Sequence, residues 1–164
     1  MAFAGNVDEL ALLQTVRLKG AVTAAVLAAQ LGVAEASAQA ALDALIAAGR
    51  AEAGADGAVA LTEPGLKELE DQLDAERVSI DEGLFAEVVE RFEPLDVEFA
   101  EAAGDAGKLA ELDRRAADVF DDVSAYVPRL ARYQELLAGS VEDADAYAVV
   151  WSELRTEILS AAGR

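Results

Sequence analysis

The chain has 164 residues, and its 13 basic and 32 acidic side chains give a formal net charge of −19. It contains neither cysteine nor histidine, which excludes disulfides, thiolate metal sites and the commonest general base and metal ligand. A charge this negative repels nucleic acid at long range.

The first predicted helix begins after a capping side chain, either Asn6 or Asp8, because a side-chain oxygen at that position accepts a free backbone N–H. Its apolar stripe at helical spacing consists of Leu10, Leu13, Val16 and Leu18. Lys19 and Gly20 end it. Residues 21–23 then predict a minimal strand.

Two short helices separated by a tight turn follow. Thr23 caps the first of them, and Gly32 ends it in the left-handed conformation that glycine adopts without strain. The second has Ala34 in place of a capping side chain, which costs about 1 kcal/mol, and it closes at Gly49. The side chains predicted to be buried are Val26, Leu27, Leu31, Ala38, Ala41, Leu42, Leu45 and Ile46.

A two-stranded hairpin is predicted after the second helix of this pair. Residues 50–53 and 57–61 flank the turn sequence Gly-Ala-Asp-Gly at 54–57. The order of helix, minimal strand, two helices and hairpin predicts a winged helix-turn-helix, in which the hairpin is the wing.

The rest of the chain predicts long helices. Thr62 and Pro64 open the first of them, and Gly83 bends or ends it. Its apolar seam consists of Leu66, Leu69, Leu73 and Ile80. The next helix, with a kink at Pro94, spaces three rings seven residues apart, which is a heptad pattern: Phe85, Phe92 and Phe99.

From Lys108 the apolar pattern passes through Pro128 without a change of phase, which predicts one kinked helix. The hydroxyl of Ser124 is expected to help satisfy the backbone at that kink. A last helix carries Tyr147, Trp151, Leu154 and Ile158. The predicted fold is therefore mainly α, with a winged helix-turn-helix head at residues 1–66 and a long-helix extension at residues 67–164.

The segment from Val22 to Thr62, together with the sequence Leu-Thr-Glu-Pro-Gly at 61–65, resembles the MarR-like winged helix-turn-helix regulators. The resemblance covers roughly residues 8–80. Residues 127–133 and 147–154 are similar to an actinobacterial group of such proteins with a long helical C-terminal extension. The resemblance implies a transcriptional regulator that binds DNA as a dimer. It carries over no catalytic residue.

The outward face of the predicted recognition helix contains no basic residue. Ser37 and Gln39 can read base edges, whereas Glu35 and Asp43 would face phosphates. The basic residues expected nearby are Arg17, Lys19 and Arg50. Two interpretations therefore stay open: a regulator that binds DNA, and an acidic winged-helix adaptor that binds another protein.

A second candidate site lies in the extension, where Arg129 and Arg132 occur among aromatic residues. The aromatic residues are Tyr126, Tyr133 and Trp151. One interpretation is an effector pocket that holds a small anion. The other is that the arginine stems cover aromatic rings and pair with nearby acids.

The aromatic residues beyond residue 84 need more covering surface than the alanine-rich head offers, so we expect a homodimer joined by residues beyond Lys67. No nucleophile with a base, no glycine-rich phosphate loop and no histidine-supported carboxylate cluster is present, so no enzymatic, cofactor or metal site is expected. The sequence shows neither a signal peptide nor a membrane span, which predicts a cytoplasmic protein.

Overall fold

The computed structural model describes residues 7–164. This part of the chain is mainly helical, with a small two-stranded antiparallel sheet. The chain divides into an N-terminal unit, Met1–Ala75, and a C-terminal unit, Glu76–Arg164. The division falls within the helix Glu63–Val78, which also contains the boundary predicted after residue 66.

The N-terminal unit begins with three helices. The described elements are α1 (Glu9–Lys19), α2 (Ala24–Leu31), α3 (Glu35–Ala47), β1 (Ala51–Ala53), β2 (Val59–Leu61) and α4 (Glu63–Val78), which continues into the next unit. Asp8 accepts the amide of Leu10 and caps α1, whereas Asn6 lies outside the described residues. Thr23 caps α2 as predicted.

The turn between α2 and α3 also follows the prediction. Gly32 ends α2 in the left-handed conformation, at φ 70° and ψ 35°. Ala34 makes no side-chain capping hydrogen bond at the start of α3. The first amides of α3 are therefore left without a side-chain cap from that position.

The predicted hairpin is confirmed. Ala51 pairs with Leu61 and Ala53 with Val59 in an antiparallel register. Val22 forms an isolated antiparallel bridge to Val59, with N···O distances of 2.9 and 2.7 Å. The predicted minimal strand before α2 is therefore a single bridge.

The core of the N-terminal unit is made of leucine, valine and alanine side chains. Three side chains predicted inside it are instead on the surface: Val26, Ile46 and Leu66 are 44%, 37% and 41% exposed. Leu10, Leu18 and Leu31 are only half-buried, whereas Leu12, which the predicted stripe omitted, is fully buried. In α2 and α3 the phase was misjudged because alanine residues occupy both faces of the helices and mark neither face as apolar.

The C-terminal unit is a set of packed helices. Its elements after α4 are α5 (Glu82–Ala102), α6 (Ala106–Tyr126), a 3₁₀ turn (Pro128–Leu130), α7 (Ala131–Ala138) and α8 (Ala144–Ala161). Asp81, Asp105 and Asp143 each accept a backbone amide and cap α5, α6 and α8. Gly83 lies in the first turn of α5 and does not end α4, which stops at Val78.

The predicted continuous helix through Pro128 is wrong. α6 ends at Tyr126, and Val127 adopts φ −131° and ψ 81° before the 3₁₀ turn begins. The cause is steric, since a proline ring disfavours the helical conformation of the residue before it. The hydroxyl of Ser124 donates to Oε1 of Gln134 at 3.0 Å, so it does not have the backbone role expected of it.

Aromatic rings pack around Trp151 at the centre of the C-terminal unit. Its ring stacks on Phe99 with a centroid distance of 4.9 Å, and Phe120 meets it edge-on at 5.4 Å. Phe85, Phe92 and Trp151 are each only 1% exposed. Because the unit covers these rings by itself, the burial argument for a homodimer is wrong, and the homodimer stays a prediction without that support.

Over residues 7–164, no single helix is both long and apolar enough to cross a membrane. Helices α2 and α3 reach the required length and composition only when taken together, and the break between them bends by 113°.

Candidate functional site

The exposed face of α3 is the first candidate site. Glu35, Gln39, Asp43 and Ile46 follow one another at spacings of three or four residues, so they share one face of the helix, and all four are exposed. Gln39 donates from Nε2 to Oδ1 of Asp43 at 2.9 Å, while Ser37 is half-buried. The face is therefore acidic over most of its length and apolar at Ile46.

The arginines predicted to serve this face bond to carboxylates of their own unit. Arg17 lies with Nη1 2.5 Å from Oε1 of Glu70. Arg50 lies with Nη1 2.6 Å from Oε1 of Glu9, and with Nη2 3.8 Å from Oε2 of Glu68. Lys19, the third predicted cation, is the last residue of α1.

These ion pairs weaken any contact with phosphate. A partly exposed pair contributes about 0–1 kcal/mol and can be exchanged for another partner. If Arg17 exchanged Glu70 for a phosphate, the carboxylate of Glu70 would stay beside that phosphate and repel it. The same holds for Glu9 if Arg50 bound a phosphate. The net gain from each arginine is therefore smaller than that of a basic side chain without an acidic neighbour.

A buried ionic cluster forms the second candidate site, where the sequence had suggested an effector pocket. Arg129 donates from Nε and Nη2 to the two oxygens of Glu76 at 2.8 and 2.9 Å, and from Nη1 to Oε2 of Glu157 at 2.7 Å. The hydroxyl of Tyr133 donates to the same Glu157 oxygen at 3.0 Å. We name Glu76, Arg129, Tyr133 and Glu157 the Arg129 cluster.

The Arg129 cluster is nearly closed to water, since the side chains of Arg129 and Glu157 are 9% and 2% exposed. Burial alone would lower the pKa of Arg129, but hydrogen bonds to Glu76 and the charge of Glu157 outweigh it and raise that pKa above its usual value. Burial raises the pKa of Tyr133, and the charge of Glu157 adds to the effect. The cluster therefore holds a charged guanidinium and a neutral phenol.

The other residues of the predicted pocket have different partners. The indole N–H of Trp151 donates to Oδ1 of Asp96 at 2.9 Å, and Arg155 donates to the other oxygen of Asp96 at 2.7 Å. Arg132 pairs with Glu135, and Tyr126 meets Phe85 edge-on at 5.8 Å. The structure thus brings Arg129 and Tyr133 together through Glu157 and shows Trp151 with another set of neighbours.

Sequence reasoning missed the two carboxylates of the Arg129 cluster. A signal existed for Glu157, because it follows Leu154 by three residues and precedes Ile158, within the apolar stripe of α8. An acid on an apolar stripe indicates a buried partner. Glu76 gave no such signal, since it lies among the many acids of α4.

Within the part of the chain that the structure describes, no group of three or more acidic, cysteine or histidine side chains is placed to hold a metal ion. Comparisons of this chain with protein families, curated proteins and solved structures found no match. Function is therefore inferred from the residues of this chain alone.

Proposed function

We propose that the N-terminal unit is a winged helix-turn-helix module that binds a protein partner through the exposed face of α3. The order of its elements supports the assignment, because α1, the Val22 bridge, α2, α3 and the hairpin follow the order expected of that fold. Gly32 supplies the left-handed turn between the two helices of the motif.

The pairing of Arg17 and Arg50 with carboxylates of their own unit is the observation that carries the proposal. Affinity for DNA comes largely from basic side chains that neutralise phosphates. Here the two arginines are already partly neutralised. A DNA-binding surface would have to separate these pairs before it gained anything from them.

The composition of the α3 face also favours a protein partner. Glu35 and Asp43 repel phosphates but complement a basic protein surface. Ile46, which is 37% exposed, adds an apolar contact of the kind found within protein interfaces. Together these side chains offer charge complementarity and apolar area to one partner.

A DNA-binding regulator of the MarR-like type is the second candidate function. Ser37 and Gln39 lie in the first half of α3, the part of a recognition helix that reaches base edges, and this placement favours it. Its binding would show a small salt dependence. With Arg17, Lys19 and Arg50 as its cations, the slope of log affinity against log salt would be roughly −3 per subunit and −6 for a dimer.

A charge-reversal variant separates the two functions. We expect the wild type not to bind a random-sequence DNA duplex even at low salt, and the Glu35→Lys, Asp43→Lys variant to gain weak, salt-sensitive binding, as measured by fluorescence anisotropy. The matched control is Glu87→Lys, Asp118→Lys, which makes the same charge change at exposed positions of the C-terminal unit. The control should gain less than the α3 variant, because its new charges lie outside the α3 face.

If the unit is a protein-binding module, we expect the wild type and the control to capture a protein from the native host. The α3 variant should not capture it. Wild-type binding to one DNA sequence, weakened selectively by Gln39→Ala, would contradict the proposal and favour the regulator. Equal capture by all three proteins would place the contact away from α3 and also contradict it.

A further inference from the structure

The C-terminal unit contains a groove of about 570 Å³ formed by the end of α4, the start of α5 and the end of α8. This volume lies within the range of about 300–1,000 Å³ that is typical of small-molecule sites. The apolar part of the lining consists of Val78, Ile80, Phe85, Ala86, Val89, Ala161 and Ala162. The charged part consists of Arg77, Glu82 and Arg164.

Arg77 and Arg164 supply two guanidinium groups to the lining, beside the carboxylate of Glu82. Arg77 donates from Nη1 to the backbone oxygen and the hydroxyl of Ser160, at 3.3 and 3.4 Å. These bonds hold a guanidinium, which has five N–H donors in one plane, against α8 at the groove. Planar donors of this kind match the two oxygens of a carboxylate.

Arg164 is held more weakly. Its Nη1 lies 2.6 Å from Oε1 of Glu93, and the two side chains are 52% and 54% exposed. An ion pair as exposed as this contributes about 0–1 kcal/mol. An anion in the groove can therefore compete with Glu93 for Arg164, and Glu93, which stays nearby, reduces the net gain as Glu70 does for Arg17.

The apolar lining includes a side chain that nothing in its own unit covers well. Val78 is 87% exposed, more than any other large apolar side chain among those described. Phe85, by contrast, is 1% exposed and belongs to the floor of the groove. A ligand with an apolar portion would cover Val78 and remove its surface from water.

We propose that this groove binds a small anionic amphiphile, a molecule with a carboxylate at one end and a short alkyl chain at the other. The carboxylate pairs with Arg77 and Arg164, and the alkyl chain lies along Val78, Ile80 and Ala86. This site belongs to the C-terminal unit and is independent of the function proposed for α3.

Decanoate below its micelle concentration is the probe, with decanol as the neutral molecule of equal chain length. We expect decanoate to shift the amide resonances of groove residues such as Ile80 and Ala162, and to bind at least about tenfold more tightly than decanol (about 1.4 kcal/mol). Arg77→Gln, Arg164→Gln should weaken decanoate binding about tenfold. The matched control, Arg91→Gln, Arg114→Gln, removes two exposed arginines elsewhere in the unit and should leave affinity unchanged.

A second variant tests the groove itself. Ala86 is exposed on α5 and lines the groove, so Ala86→Trp fills the space without removing an arginine. Binding should be lost in this variant, and the single Arg164→Gln should weaken binding even if Arg77→Gln disturbs folding. Absence of decanoate binding, or equal affinity in the wild type, the groove arginine variant and Ala86→Trp, would overturn the proposal and leave the α3 proposal untouched.

Discussion

The C-terminal unit contains a buried ion pair, whereas the ion pairs described in the N-terminal unit are all partly exposed. In the N-terminal unit, arginines such as Arg17 and Arg50 pair with acids at the surface, where pairs are exchangeable. In the C-terminal unit, Arg129 and Glu157 are almost completely buried, and a buried pair is fixed because separating it leaves a charge without solvent. The same residue types therefore form exchangeable surface pairs in the N-terminal unit and, in the Arg129 cluster, a fixed internal arrangement.

The hydrophobic cores of the two units also differ, in the size of their side chains. Among residues 7–75 there is no aromatic side chain, whereas the C-terminal unit packs four rings around Trp151. Large rings bury more area per residue than alanine and valine. The C-terminal unit is thus the one in which a single truncation removes the most stabilisation.

Trp151→Ala tests this difference in the cores, and its expected effect is among the largest. The ring is 1% exposed, so its removal should lower the free energy of unfolding of the C-terminal unit by about 3–5 kcal/mol. Urea denaturation followed by the fluorescence of the three tyrosines, which all lie in this unit, measures it, and far-UV circular dichroism follows both units. Leu27→Ala, at a fully buried position of the N-terminal unit, should cost less, and an equal or greater cost would remove the distinction between the cores.

Arg129→Met tests the distinction between buried and exchangeable charges. It leaves Glu76 and Glu157 without their shared partner, so we expect a loss of about 3–5 kcal/mol of stability. Arg17→Met, the matched change at a surface pair, should cost about 0–1 kcal/mol. Chemical denaturation of both variants gives the comparison.

A rescue variant strengthens the Arg129 test. Adding Glu76→Gln and Glu157→Gln to Arg129→Met removes the two uncompensated carboxylates and should restore part of the lost stability. A cost for Arg129→Met no greater than that for Arg17→Met would mean that the Arg129 cluster is as exchangeable as the surface pairs.

Gly65→Ala has the smallest expected effect and tests the packing of the N-terminal unit. A Cβ atom at Gly65 would lie 1.9 Å from the backbone oxygen of Arg50, so the backbone must shift at a cost of about 1–3 kcal/mol. At Gly83, near the start of α5, the nearest atom is 3.7 Å away. Thermal unfolding should show Gly65→Ala destabilised and Gly83→Ala unchanged or stabilised by up to about 1 kcal/mol; equal midpoints would contradict the prediction.

Helix caps and turns were predictable from the sequence because each of them depends on only a few neighbouring residues. The caps at Asp8 and Thr23, the left-handed Gly32 and the hairpin after α3 are all of this kind. The phase of alanine-rich helices was not predictable in the same way. Val26 and Ile46, which were predicted in the core, lie on the surface; the prediction failed because alanine marks neither face of these helices as the core.

The candidate sites were predictable only in part, for a related reason. Arg129 and Tyr133 were singled out because arginines occur among aromatic residues in that segment, but Glu76, which accepts two hydrogen bonds from Arg129, is 53 residues away along the chain. The break at Pro128 moves this arginine into a 3₁₀ turn. Local periodicity does not reveal a partner that only tertiary packing brings close.

The position of the aromatic residues has a spectroscopic consequence. The single tryptophan and all three tyrosines lie between residues 126 and 151, in the C-terminal unit. Intrinsic fluorescence therefore reports on that unit alone, whereas far-UV circular dichroism averages over the helices of both. Because Trp151 is shielded from water and its N–H is bonded to Asp96, its emission is a built-in signal for opening of the C-terminal unit.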